Sequence, residues 1–294
     1  MARMRLDLGV FQEIACEDPS LRWYAIVDNA QCQKLPNMFG AGSRQSRCLL
    51  DAPLDSPLAQ LCPHLVELCS PDYSDSGWMW IRLHGASTPC VSVIATCKPF
   101  DSLFNQLAHC TQISLPDGDT MFFAFWDSAV LGTLMGQADD QTLHVPGPVL
   151  DQGQQTMLAD GIAKWWYWDR NGVIHSFAVR ATPAVAPVRS LELDQRQVDD
   201  LVEASVPDHL LYYLTLNQSN LINDFSSSEQ YHIVRGALNR ARDIGLISMR
   251  DLVNYVCVEM IYKERLREDR YIADLLNQVK TRQLSFHDAL ELLP

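Results

Sequence analysis

Residues 115–135, LPDGDTMFFAFWDSAVLGTLM, place the tightest constraint on how this chain folds. A turn, a strand, a helix cap and a helix follow one another there without slack. Pro116-Asp117-Gly118-Asp119 is turn chemistry: proline presets φ at about −65°, and glycine takes positive φ without a Cβ clash. Residues 120–126 are β-branched and aromatic, as strands are. Asp127 stands where a helix N-cap belongs, with a carboxylate to accept a free backbone N–H. Val130, Leu131, Leu134 and Met135 then recur at helical spacing. Upstream, residues 100–110 read as a helix and 111–115 as the partner strand of the hairpin.

Other segments take their places around this one. Residues 22–28, RWYAIVD, form a nearly continuous apolar run, which marks a central strand buried on both faces. Residues 64–69 and 89–97 are further strands, and 49–50 a short one. Residues 7–16 read as an amphipathic helix, 58–62 as a helical turn, and 76–85 as a helix capped by Asp75 or Ser76. Residues 34–46 and 136–155 read as loop. Residues 162–168 and 173–179 flank Asp169-Arg170-Asn171-Gly172, whose Asn-Gly step signals a β-hairpin. Residues 181–190, ATPAVAPVRS, have the prolines and small residues of an extended linker. Beyond Leu191 only helices are expected. Asp194 with Gln197, Ser226 with Glu229, Ser248 with Asp251 and Ser285 with Asp288 have capping-box spacing, and Gly245 suits a C′ position. The expected architecture is an α+β domain with an α/β-like mixed sheet over 1–180, the linker, and an all-helical domain over 191–294.

Composition narrows the function. With 294 residues, 47% hydrophobic and 20% charged, the chain can bury an ordinary core without staples. The net charge of −13 argues against nucleic acid and anionic membrane as partners, since both are met by clustered Lys and Arg. The acidity is spread, with 12 basic against 19 acidic residues in 1–190 and 11 against 17 in 191–294. No apolar run reaches the roughly 18–20 residues of a membrane span, and the N-terminal sequence lacks an apolar signal region, so a cytoplasmic location is expected. Eight of the nine cysteines precede residue 111; free, mostly buried thiols are expected in a reducing compartment.

Motifs for chemistry are missing. Cys62, His64, Cys69, His84, Cys90 and Cys97 lack the tight pairs of a zinc site: the closest cysteines leave six residues between them. There is no nucleophile elbow, no S-x-x-K and no phosphate-binding glycine motif. His109-Cys110 sits at a helix end, where neighbouring side chains diverge by about 100°. Asp139-Asp140 and Asp199-Asp200 read as solvated or cap-assisting acids. No cofactor, metal or catalytic residue is therefore assigned. The remaining oddity is Trp165-Trp166-Tyr167-Trp168 in an expected strand, where alternation sends Trp165 and Tyr167 to one face and Trp166 and Trp168 to the other. One face can be core, and the second is expected to meet either the helical half or a partner.

Three segments carry a family resemblance. Phe123-Ala124-Phe125-Trp126-Asp127-Ser128-Ala129-Val130-Leu131, preceded by Pro116-Asp117-Gly118, resembles the Phe-Arg-Phe-Tyr-Asp-Pro-Arg-Val-Leu motif of the bacterial type VI secretion effector adaptors (chaperones). Both arginines and the proline of that motif are absent here, and Trp126 takes the tyrosine's place. Residues 24–30, YAIVDNA, are similar to the family's first strand, which places Asp28 in its motif. Residues 64–68 resemble a further family segment, and the C-terminal helices look similar to its second half. The resemblance implies a non-enzymatic adaptor that binds a toxic effector and helps load it onto the VgrG spike, sometimes with a PAAR-type tip. Asp28, Pro116, Asp117, Gly118, Phe123, Phe125 and Asp127 are then motif residues. Trp126, Trp165, Trp166 and Trp168 are the protein-binding candidates, and the effector is expected in a groove between the two domains, beside the tryptophan-rich strand. The rival readings are a hydrolase-like enzyme whose site the linear sequence hides, and an aromatic carbohydrate- or peptide-binding module.

Overall fold

The computed structural model describes residues 8–32, 45–52, 56–85, 89–178, 191–263 and 265–294. The expected linker 181–190 and most of the expected loop 34–46 lie outside them. The chain divides into two compact units, 1–202 and 203–294. The first is built on mixed sheets and the second is helical.

The first unit is a layered sandwich. Its main sheet has six strands in the order β2-β3-β1-β4-β7-β8, namely β1 (Arg22–Asp28), β2 (Ser46–Cys48), β3 (Pro63–Leu68), β4 (Val91–Thr96), β7 (Ile162–Trp168) and β8 (Ile174–Phe177). All its pairings are antiparallel. β1 is central, as its apolar run requires, and is buried from Trp23 to Asp28. Antiparallel sheets commonly leave one face to water, whereas here both faces are covered. Helices α3 (Phe100–His109), α4 (Ser128–Met135) and α5 (Gln152–Ala159) cover one face, packing on Tyr24, Ile26, Ile94, Trp165 and Tyr167. Helices α1 (Gly9–Glu17) and α2 (Ser76–His84) cover the other, packing on Trp23, Val93, Trp166 and Trp168.

A second sheet of three strands, β6 (Thr120–Phe122), β5 (Gln112–Ser114) and β9 (Leu191–Glu192), flanks the first core. β9 corrects the expectation of helices only beyond Leu191. Leu191 and Leu193 join the first core, so the chain commits two more apolar side chains to that unit before helix α6 (Gln195–Asn217) begins. The first unit accordingly runs past the expected boundary at 190.

Three other expectations are revised. The strand expected over 120–126 ends at Phe122, because the Phe125 N–H turns back to the Phe123 carbonyl and the Asp127 N–H to that of Ala124. This turn delivers Phe123 and Phe125 into one core. The short strand is Ser46–Cys48, and Leu49 is buried in the turn after it. Residues 152–155, the end of the expected loop, open α5: Asp151 and Gln154 make a capping box over a first turn too polar for its periodicity to show.

The helical unit follows its capping signals. Ser226 caps α7 (Ser227–Asp243), Ser248 caps α8 (Met249–Tyr262) and Ser285 caps α11 (Phe286–Glu291), each accepting the expected N3 backbone N–H. Between the last two lie the short α9 (Arg265–Glu268) and α10 (Arg270–Lys280), which Asp269 caps. Gly245 has φ +85°, as a C′ glycine does. Val234, Ala237, Leu238, Leu252 and Val256 form the centre of this core, and Ile261 near the end of α8 is 61% exposed. No helix among the described residues is long and apolar enough to cross a membrane.

Trp166 stacks on Trp23 with ring centroids 5.6 Å apart and meets Phe11 edge-on at 5.0 Å. Trp166→Ala should cost about 3–5 kcal/mol in urea denaturation, as large-to-small core changes do. Phe122→Ala, on an exposed edge, should stay within about 0.5 kcal/mol of wild type.

Candidate functional site

The motif segments meet at one end of the main sheet. β1 ends at Asp28, whose N–H is held by the Cys90 carbonyl at 2.8 Å. Its Oδ1 accepts from the Ala30 N–H at 3.0 Å, and its Oδ2 accepts from the Gln31 amide at 3.1 Å. The same Gln31 nitrogen donates to Asp127 Oδ2, also at 3.1 Å. Gln31 thus bridges two carboxylates that are 99 residues apart in the chain. Asp127 uses Oδ1 as the N-cap of α4, accepting from Ala129 N at 2.9 Å and Val130 N at 3.4 Å. Ser128 Oγ donates to the Pro89 carbonyl at 3.2 Å, tying the start of α4 to the approach to β4.

Burial pushes the Asp28 carboxyl above the ordinary range, and the nearby Asp127 charge adds to this, while the Ala30 and Gln31 donors oppose it. A carboxyl raised in the folded state binds its proton more tightly there than in the unfolded chain. Its contribution to stability is therefore present below the ordinary carboxylate pKa and lost as pH rises through the raised one.

Behind Asp28 lie a histidine and two thiol pairs. His64 Nδ1 is 2.8 Å from the Asn29 amide and 3.0 Å from the Cys62 carbonyl oxygen, and burial lowers its pKa, favouring the neutral ring. The Cys62 thiol lies beside that of Cys48, and the Cys90 thiol beside that of Cys32. Burial pushes Cys62 up to about 11 and Cys90 higher still. Such thiols stay protonated at neutral pH, which removes the thiolate that nucleophilic chemistry needs. Cys110, from the His109-Cys110 pair, is buried and likewise pushed up to about 11. Four of the nine cysteines are buried, three are intermediate, and Cys16 and Cys97 are exposed.

The remaining candidates are dispersed. Pro116, Asp117 and Gly118 form the exposed tip of the β5–β6 hairpin, where Gly118 takes φ +89° and Asp117 accepts the Asp119 N–H at 3.0 Å. Phe123 and Phe125 are core residues, and Phe125 lies edge-on to Trp165 at 6.2 Å. Trp126 is half-buried against the same core. Trp165, Trp166 and Trp168 are all at most 1% exposed. The face of β7 expected to meet either the helical half or a partner is covered by α1 and α2 of the first unit. β6 does present apolar side chains to solvent, with Met121 46% and Phe122 64% exposed.

Sequence reasoning missed one group. Asp140, Asp169 and His175 are buried together, each offering a ligand atom within 4.8 Å of the others. Their separation along the chain hides them from any spacing rule. Only the hairpin register, which sets His175 opposite Tyr167 two residues before Asp169, hints at the proximity.

Residues 23–144 match the family model DUF4123, a domain of unknown function. The match spans less than half of the chain, from β1 through α4, and includes all three motif segments. No curated protein and no solved structure matches the chain.

Two outcomes follow. The stability advantage of wild type over Asp28→Asn should shrink as pH rises from about 4 to about 7, measured by urea denaturation at each pH. Under native conditions a thiol reagent should label Cys16 and Cys97 rapidly and Cys48, Cys62, Cys90 and Cys110 only on unfolding, read by peptide mass spectrometry.

Proposed function

We propose that this protein is a non-enzymatic cytoplasmic adaptor that binds a type VI secretion effector and helps load it onto the VgrG spike, with or without a PAAR-type tip. The observation that carries this reading is the DUF4123 match over residues 23–144, which holds the three adaptor-like segments. The structure supports it by joining two of them physically, through Gln31 between Asp28 and Asp127. The protonated, paired thiols and the neutral His64 around that junction suit a structural role better than a hydrolytic one. Burial of Trp165, Trp166 and Trp168 removes the basis of the aromatic-platform alternative.

The surface we assign to the effector is the β6 edge. In the β6-β5-β9 sheet, β6 is outermost. Phe123 donates its N–H to the Thr111 carbonyl, and Asp119 offers its carbonyl to the Leu115 N–H. Alternation then turns the Thr120 and Phe122 backbone groups to the open edge. An extended effector segment adds there as a further strand, with Met121 and Phe122 supplying apolar contact. Asp117 and Asp119 at the tip favour a segment carrying basic residues.

Co-expression with the proteins encoded beside it, followed by pull-down and light scattering, tests the role. A stable complex that raises a neighbour's solubility is expected, and a folded, monodisperse chain that captures none of them overturns it. Within such a complex, Phe122→Asp should weaken binding about tenfold or more. Trp126→Ala, away from the edge strand, should leave affinity near wild type.

A further inference from the structure

Three residues that the adaptor reading does not use converge in the interior of the first unit. Asp140 follows α4, Asp169 begins the β7–β8 turn, and His175 lies on β8. They are 4%, 6% and 8% exposed. In both aspartates Oδ1 is committed to nearby donors. In Asp140 it accepts from Thr142 N at 2.8 Å and Thr142 Oγ1 at 2.6 Å, and in Asp169 from Asn171 N and Val173 N, both at 2.8 Å. Those bonds leave the two Oδ2 atoms to the shared interior. There the Tyr167 phenol donates to Asp140 Oδ2 at 3.0 Å, and His175 Nε2 lies 3.1 Å from Asp169 Oδ2. Tyr167 stacks on the His175 ring at 5.5 Å.

Two carboxylates buried side by side call for a balancing positive charge, and a divalent ion supplies it. Two carboxylate oxygens and an imidazole nitrogen suit a borderline divalent ion such as Zn²⁺. Bonds of about 2.0 Å in a tetrahedral site set ligand atoms about 3.3 Å apart. The three ligand atoms already lie within 4.8 Å of one another, so side-chain shifts of about an ångström close the site. The geometry points to a divalent metal site made of Asp140, Asp169 and His175. The ion staples the loop after α4 to the β7–β8 hairpin, and two of its three ligands lie beyond the family match.

The test uses the full-length chain stripped with a chelator, titrated with ZnCl₂ by calorimetry and with CoCl₂ by visible absorption. One equivalent of Zn²⁺ should bind and raise Tm. Co²⁺ should develop ligand-field bands of a low-symmetry nitrogen–oxygen site. His175→Gln and Asp140→Asn should weaken binding about tenfold or more, whereas Asp117→Asn, on the exposed hairpin tip, should not change it. Absence of stoichiometric Zn²⁺ binding by wild type overturns the site, as does wild-type affinity in a folded His175→Gln variant. Where a variant fails to fold, the wild-type Co²⁺ spectrum decides, and a spectrum unchanged from aqueous Co²⁺ overturns the site.

Discussion

The first unit depends on β7 being buried on both faces. Its four consecutive aromatics cannot share a face, because strand side chains alternate. Trp165 and Tyr167 therefore require a helical layer on one side, and Trp166 and Trp168 require another on the other. The chain supplies α3, α4 and α5 for the first and α1 and α2 for the second. Bulk outweighs polarity in this choice. The indole N–H groups of Trp166 and Trp168 are buried without a partner, a cost of about 1–3 kcal/mol each. Fully burying such rings offsets that cost several-fold through packing and apolar area.

Much of the fold was legible because local signals agreed with one another. The Pro-Asp-Gly turn, the Asp127 cap and the four capping pairs of the helical half each pair a residue type with one backbone need, and each formed. The central placement of β1 followed from an apolar run with no alternation. What stayed hidden depended on packing at a distance. Helix α5 is polar over its first turn, commits only Leu158 and Ala159 fully to the core, and is tied down by Gln154, which reaches the Glu192 carbonyl at 2.6 Å and Gln197 at 3.1 Å. Strand β9 spans two residues and exists only because β5 offers it an edge. The fate of Trp166 and Trp168 turned on α1 and α2, short helices whose destination no spacing rule specifies.

The site was legible in part. The residues of the motif were identifiable, but Gln31 was not, since an exposed glutamine carries no signal until Asp28 and Asp127 are seen on either side of it. The Asp140–Asp169–His175 group was invisible for the same reason in stronger form: it is assembled by a hairpin and by a loop that follows a different helix. With the β7 tryptophans spent on the core, partner recognition falls to other surfaces, and the one we propose on the first unit is the short edge strand β6 with the acidic turn beside it.

The central claim, that the sheet is sealed on both faces, is tested most directly by ¹⁹F NMR of the chain labelled with 5-fluorotryptophan. The seven tryptophans should give seven resolved signals, with a solvent isotope shift between H₂O and D₂O at Trp126 and little or none at Trp165, Trp166 and Trp168. Clear solvent shifts at Trp166 and Trp168 would show an open face on β7 and contradict the account.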